Sequence, residues 1–324
     1  GKARVCTVSG NTINYGGPTT FSSGAVDHVS ASFDTQNNKV LVAYRDDNNN
    51  TYGTAIVGTV DGDSISFGSP AVFRSGNSIN INCTYAKDGK SIIFYQKTSP
   101  SNTGVCNVAT ISGTSVSFGS ETDFNPGATN FISSAYDTNN DRVVVSYYDQ
   151  GNNSGHATSG ELTGTNDITF ATTDTVFHGG FTQYTDTVFD PNTGKIIVTY
   201  QDYTNSNGGS VVGTVASSLN IVSGGISFGS ESQFSSTNVN YPVSVYDTTH
   251  QKIIIIYRNA GSTQYGTAIV GTVSGTTINY GNSFVIQASE SNHIGAAYDP
   301  INDQVVVAIR DAGNSLYYGT GFCF

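Results

Sequence analysis

The feature that most limits what this chain can fold into is a repeat. An aromatic–acid pair, a short polar turn and a dense β-branched run recur along the sequence. The copies begin at Phe33-Asp34, Tyr136-Asp137, Phe189-Asp190, Tyr246-Asp247 and Tyr298-Asp299, with a degenerate copy at Tyr85, where Ala86 replaces the acid. The anchors at 33, 85, 136, 189, 246 and 298 stand about 51–57 residues apart. A fixed period of this size belongs to solenoids and propellers, in which each unit buries its apolar face only against its neighbours.

Each unit reads as four strands. The first ends at the anchor, at residues 30–33 in the first unit. The second, 40–44, is apolar on both alternations and so is expected to be buried on both faces. Its counterparts are 92–95, 143–147, 196–200, 253–257 and 305–309. The third, 54–60, recurs almost letter for letter at 267–273. The fourth, 64–67, precedes Gly68 and is echoed before Gly119, Gly229 and Gly281. Asp, Asn, Gly and Ser fill the connections, where they supply turn geometry. Six such units predict an all-β fold: a six-bladed β-propeller of four-stranded antiparallel blades, one domain spanning residues 1–324.

The termini fit that reading. VCTVSGNTINYGG (5–17) matches VGTVSGTTINYGN (270–282), and YYGTGFCF (317–324) matches the start of a third strand. The two ends are expected to share one blade and close the ring, which leaves no open sheet edge. Cys6 and Cys323 lie on these segments, so a disulfide between them would lock the ring and would imply secretion. Cys83 and Cys106 fall on the first and third strands of one unit, roughly 10 Å apart at the usual strand spacing, and read as free packing thiols. The sequons at Asn49, Asn82 and Asn152 are compatible with glycosylation of an extracellular protein.

Composition narrows the partners. A net charge of -11 argues against nucleic acid, which needs a basic surface. No apolar run is long enough to insert in a bilayer. The sequence opens on Gly1, holds no methionine and shows no signal peptide, and so reads as a mature or trimmed form.

The repeat collects equivalent residues into rings. Six positions before each anchor acid stand His28, Asn80, Phe131, Tyr184, Tyr241 and His293, expected at the mouth of the central channel. After the second strand come Arg45, Gln96, Tyr148, Gln201, Arg258 and Arg310, then Asp46, Lys97, Asp149, Asp202, Asn259 and Asp311. Rings, guanidinium groups and carboxylates on one surface suit a hydroxyl-rich ligand, a glycan or small polar molecule. The structural alternative is that aromatics plug the channel and each Arg pairs with the neighbouring blade. The absence of Trp takes away the strongest stacking platform.

Chemical signatures are sparse. The anchor acids Asp34, Asp137, Asp190, Asp247 and Asp299 read as turn-opening residues, with calcium at the Asp137–Asp141 turn as an alternative. No HExxH, GxSxG or Walker pattern occurs. His28 and His293 come from blades expected to be neighbours, so with Asp27 and Asp311 they form a candidate acid–base or metal pair.

The motifs YDTNNDRVVVSYYD, YGTAIVGTVSGTTINYG and ISFGS resemble those of extracellular β-propeller repeat proteins. That resemblance spans the chain, implies the fold and an extracellular setting, and carries no catalytic residues. The reading is a secreted or surface-displayed, lectin-like binding module rather than an enzyme. The alternatives are a self-associating structural or adhesive protein of a matrix, coat or filament, and a hydrolase or lyase at the channel mouth.

Overall fold

The β-branched runs form strands because branching at Cβ suits a pleated, buried surface. The computed structural model describes residues 1–99, 101–219, 223–313 and 319–324. In the first repeat, strand A is Val26–Asp34, B is Lys39–Asp46, C is Tyr52–Asp61 and D is Ser64–Phe67. All neighbours pair antiparallel. Strand B at the centre of each repeat carries the core: Leu41, Tyr44, Ile93, Tyr95, Val145, Tyr147, Ile197, Tyr200 and Ile255 are almost wholly buried. Each such side chain contributes about 1.5–3 kcal/mol when removed from water. Among the described residues no helix is long and apolar enough to cross a membrane.

Strand D ends at Phe67, as the sequence suggested, but a further segment also pairs with strand C. Residues 71–77 of the long strand Ala71–Tyr85 pair with strand C of the first repeat, and residues 78–85 pair with Lys90–Lys97 of the second. One strand therefore closes one repeat and opens the next. Thr122–Asp137 and Phe284–Asp299 do the same. In the fourth and fifth repeats the two halves are separate strands, Thr175–His178 with Thr182–Asp190 and Ser232–Ser235 with Val239–Asp247. Four of these five crossings place a Phe against the strand-B Tyr of the following repeat. Phe73–Tyr95, Phe124–Tyr147, Phe177–Tyr200 and Phe234–Tyr257 stand 5.0, 5.3, 5.2 and 5.3 Å apart between ring centroids.

The N-terminal segment repeats this geometry. Phe21 meets Tyr44 at 5.2 Å. A Cβ on Gly16 would lie 1.8 Å from the Asp63 carbonyl, as one on Gly68 would lie 2.0 Å from that of Thr114. Only glycine lets these backbones approach so closely. The segment thus packs on the first repeat as the outer strands before Gly68, Gly119 and Gly229 pack on the repeats that follow them.

Its link to the sixth repeat differs from expectation. Gly319–Cys323 pairs with strand B, Gln304–Asp311. Cys6–Ser9 and Thr12–Tyr15 form a separate two-stranded sheet. Among the described residues no ladder joins them to Gly319–Cys323; Gln304 instead hydrogen-bonds Asn11 at 3.2 Å. The reason is that the hairpin already supplies its own third-strand segment, so its fourth strand is paired without the C-terminus. Tyr317 of the expected closing segment lies outside the described residues.

All four cysteines are free, so the expected Cys6–Cys323 bridge is not formed. Cys323 Sγ faces the carbonyl of Gly10 at the hairpin turn, 3.9 Å away. Cys6 is four residues further along, roughly 13 Å at the usual rise per residue, where a disulfide requires Cα atoms within about 7 Å.

Candidate functional site

The first expected ring is brought together by a backbone device that the sequence did not announce. His28, Asn80, Phe131, Tyr184, Tyr241 and His293 have φ of 49°, 51°, 51°, 50°, 52° and 48°. Each sits in a β-bulge of strand A, where pairing with strand B skips. A bulge re-aims a side chain, and the left-handed conformation costs a non-glycine residue about 1–2 kcal/mol. All six share this left-handed conformation at the same position of strand A. Phe131, Tyr184, Tyr241 and His293 then touch in series, with centroids 5.3, 4.7 and 5.0 Å apart. On the other side, His28 Nδ1 accepts the Asn80 backbone N–H at 3.2 Å, and Asn80 Nδ2 donates to Asn130 Oδ1 at 3.3 Å.

A cavity of about 1010 Å³ opens beside this ring, lined by Tyr184, Tyr241, His293 and Arg310, with Arg4 and Tyr15 from the N-terminal segment. Its position follows from how the strands A are joined. Cys83 N–H donates to Ser30 Oγ and Thr187 N–H to Ser133 Oγ, both at 3.0 Å; Ser244 N–H donates to Asp186 Oδ2 at 2.6 Å. The same position in the fifth and sixth repeats holds Val243 and Gly295, which offer no side-chain acceptor, and both line the cavity. Asp186 is the last of these polar links and forms part of the wall. Removal from water pushes its carboxyl up to about 6, against the hydrogen bonds from Ser244 and Ser133 that favour the charged form.

The second ring is divided. Arg258 donates to Asn240 Oδ1 at 2.7 Å and to Asn292, and its guanidinium lies 5.3 Å from the Tyr241 ring centroid. Arg310 is exposed and lines the cavity. These two belong to the site. Arg45 is committed to Asp27 and Asp47, at 3.1 and 2.6 Å. Gln96, Tyr148 and Gln201 are buried: Gln96 Oε1 accepts from Asn80 at 2.8 Å, Tyr148 packs on Phe181, and Gln201 Nε2 donates to Asn238 Oδ1 at 2.5 Å. Asp27, Asn130, Asn240 and Asn292, one residue before the bulge, form a polar tier of which the sequence reading named Asp27 alone. Their signal was the recurrence of Asn or Asp at that position.

In the third ring the polar groups hold their own turns. Asp46 accepts the Asn48 N–H at 3.1 Å, and Asp149 accepts from Gly151 N at 2.8 Å and Asn152 Nδ2 at 2.8 Å. Asp202 accepts from Asn205 N at 3.0 Å, Asn259 from Thr237, and Asp311 from Ser289 and Gly313. These groups close the B-to-C turns, and Lys97 pairs outward with Glu121 and Asp123. The anchor acids likewise hold their own turns: Asp34 Oδ1 accepts from Gln36 and Asn37 N–H at 2.9 and 3.0 Å, and Asp137, Asp190, Asp247 and Asp299 repeat the pattern. Their Oδ1 atoms thus serve the backbone donors of the turn, the turn-opening role the sequence suggested.

The expected His28–His293 pair is not assembled. Among the described residues no hydrogen bond or ring contact joins them. His28 faces Asn80, and burial holds its imidazole below the usual range, while His293 packs on Tyr241. Of the sequons, Asn49 and Asn152 lie on B-to-C turns. Asn82 is inside a strand and accepts from Ser134 Oγ at 2.5 Å, a placement closed to a bulky modification.

No protein-family model and no curated protein matches the sequence. Solved structures do. A protein of unknown function from Dyadobacter fermentans aligns over 92% of this chain and 93% of its own, with 11% identity and TM-score 0.58. AofleA from Arthrobotrys oligospora aligns over 91% and 82%, with 10% identity and TM-score 0.57. A leech intramolecular trans-sialidase complexed with 2,7-anhydro-Neu5Ac aligns over 93% and 68%, with 11% identity and TM-score 0.55. Likeness at such identities concerns the backbone alone: the chain has an all-β fold of the β-propeller kind that sialidases share.

Proposed function

We propose that this protein is a secreted or surface-displayed, lectin-like module that holds a glycan in the cavity beside Tyr184, Tyr241 and His293. The observation that carries this reading is the series of touching rings, half-buried at their edges and open to about 1010 Å³ of space. Ring faces stack on the apolar face of a sugar, and the Arg310 guanidinium on the cavity wall suits directional polar contacts to its hydroxyls. The glycan-bound neighbour supports the substrate class at a coarse level only. In this reading the six repeats form a closed ring, with the N-terminal outer strands bridging the sixth repeat and the first.

A glycan array probed with wild-type protein and with Tyr241→Ala tests it. The expected result is a reproducible set of hits lost in the variant at unchanged melting temperature. A blank array, or hits kept by the variant, would refute it.

A structural or adhesive role is the second reading. It is favoured by Phe284, Val285 and Phe324, which are 42%, 55% and 36% exposed around a hollow of about 420 Å³ beside the C-terminal strand. An apolar patch at a sheet edge promotes self-association. Light scattering at rising concentration would reveal it as growing mass; constant monomer mass would remove it.

A further inference from the structure

We propose that Asp149, His156 and Asp174, on the outer side of the third repeat, form a binding site for a divalent first-row transition cation of the zinc class. One ligand atom from each lies within 4.8 Å of the other two, a span that a metal at about 2.0–2.2 Å from each donor closes with small side-chain movements.

The placement follows from strand register. Asp149 ends strand B (Arg142–Asp149), and His156 stands on strand C (Ser154–Thr163), two residues past Ser154, the cross-strand partner of Asp149. Asp174 comes from the connection between the two halves of the outer strand. Three segments thus converge on one imidazole, which has only 4% of its surface exposed. His156 Nδ1 donates to Asp174 Oδ2 at 2.9 Å, and Nε2 lies 2.7 Å from Ser154 Oγ.

Three further observations separate this cluster from an ordinary ion pair. The first is its supporting shell. Tyr147 OH donates to Asp174 Oδ2 at 2.7 Å, and the Tyr147 ring stacks on His156 at 6.0 Å. An outer partner of this kind orients a ligating carboxylate. The second is access. Asp149 and Asp174 both line a surface hollow of about 470 Å³, a path for an ion and room for its water. The third is departure from the repeat. The residue facing the strand-B Tyr is Thr54, Val105, Gly209 and Thr267 in the other repeats. Only the third repeat puts a metal ligand there. A nitrogen donor with two carboxylates suits zinc, cobalt or nickel, whereas calcium takes an all-oxygen shell.

The test is calorimetric titration of the purified, metal-stripped protein with Zn²⁺ and Co²⁺, with Ca²⁺ as the contrast. One site per chain is expected for Zn²⁺ and Co²⁺ and none for Ca²⁺. His156→Thr carries the residue of the equivalent positions and so keeps the fold. It should weaken binding at least about 100-fold, with metal-free melting unchanged. Tyr147→Phe should weaken it about 10–100-fold, as loss of an outer partner does. His250→Ala, in the exposed Asp247–His250–Asp303 group, should change nothing. No heat with either metal at millimolar concentration, affinity kept in His156→Thr, or affinity lost in His250→Ala would each overturn the proposal.

Discussion

Replacing Asp186 by Asn isolates the cost of a carboxylate in the cavity wall. Asp186 accepts Ser244 N–H at 2.6 Å and Ser133 O–H at 3.2 Å. An Asn amide keeps the first bond through its oxygen and can donate to Ser133 in place of the second, so the links between strands survive. What disappears is the charge. Desolvation raises the carboxyl from 3.8 to about 6, so between those values the native state binds a proton that the unfolded chain releases. Stability from this group is therefore lost as pH rises through the window, and the penalty is complete above it. About two units at about 1.4 kcal/mol each come to about 3 kcal/mol. Urea unfolding of wild type and Asp186→Asn across pH 3.5–7.5 reads the effect as a difference, in which other titrating groups cancel. The variant should gain on wild type by about 3 kcal/mol from the acid end to neutrality. A difference that stays flat would show that water reaches the carboxylate, and would refute the reasoning about the wall.

Three further outcomes follow from the geometry. His28→Gly should be more stable than His28→Ala by about 1–2 kcal/mol in thermal or urea unfolding, the reverse of the usual strand preference, because φ at this bulge is 49°. Asp34→Ala should cost about 1–3 kcal/mol, since it removes the buried carboxylate that accepts the Gln36 and Asn37 N–H groups, while Asp299→Ala should cost less because water replaces the more open carboxylate; paired denaturation curves check both. Thiol titration with a chromogenic disulfide should find four free thiols. Cys6 and Cys323 should react in the native state, and Cys83 and Cys106 only on unfolding, because burial pushes the Cys83 thiol up to about 12 and raises that of Cys106 as well.

The repeat was legible because its strongest signal is local. Runs such as 253–257 can only be buried strands, and the anchor Asp of Asp34 or Asp190 needs only its own turn to be satisfied. The ring of His28 to His293 was legible for the same reason: equivalent positions in a repeat share an environment. The missed features depend on contacts between repeats. Whether Asp46 faces a ligand or its own turn depends on the Asn48 N–H group, which any Asp-rich loop also offers. The run from Ala71 to Tyr85 belongs to two repeats at once, a fact visible only when strand C of one and strand B of the next are both in place. The Cys6–Cys323 pairing failed because the register between the two terminal segments sets Cys323 against Gly10 of the hairpin turn, four residues from Cys6. The His156 cluster was hidden because its third member, Asp174, sits on the far side of strand C.

The account's central claim is that a glycan stacks on Tyr184 and Tyr241. The direct test is a crystal structure of the protein soaked with a panel of mono- and oligosaccharides at saturating concentration. The account predicts sugar density against the Tyr184–Tyr241–His293 face, with a polar contact from Arg310. Density bound elsewhere, or none in a lattice that leaves the cavity open, would contradict it.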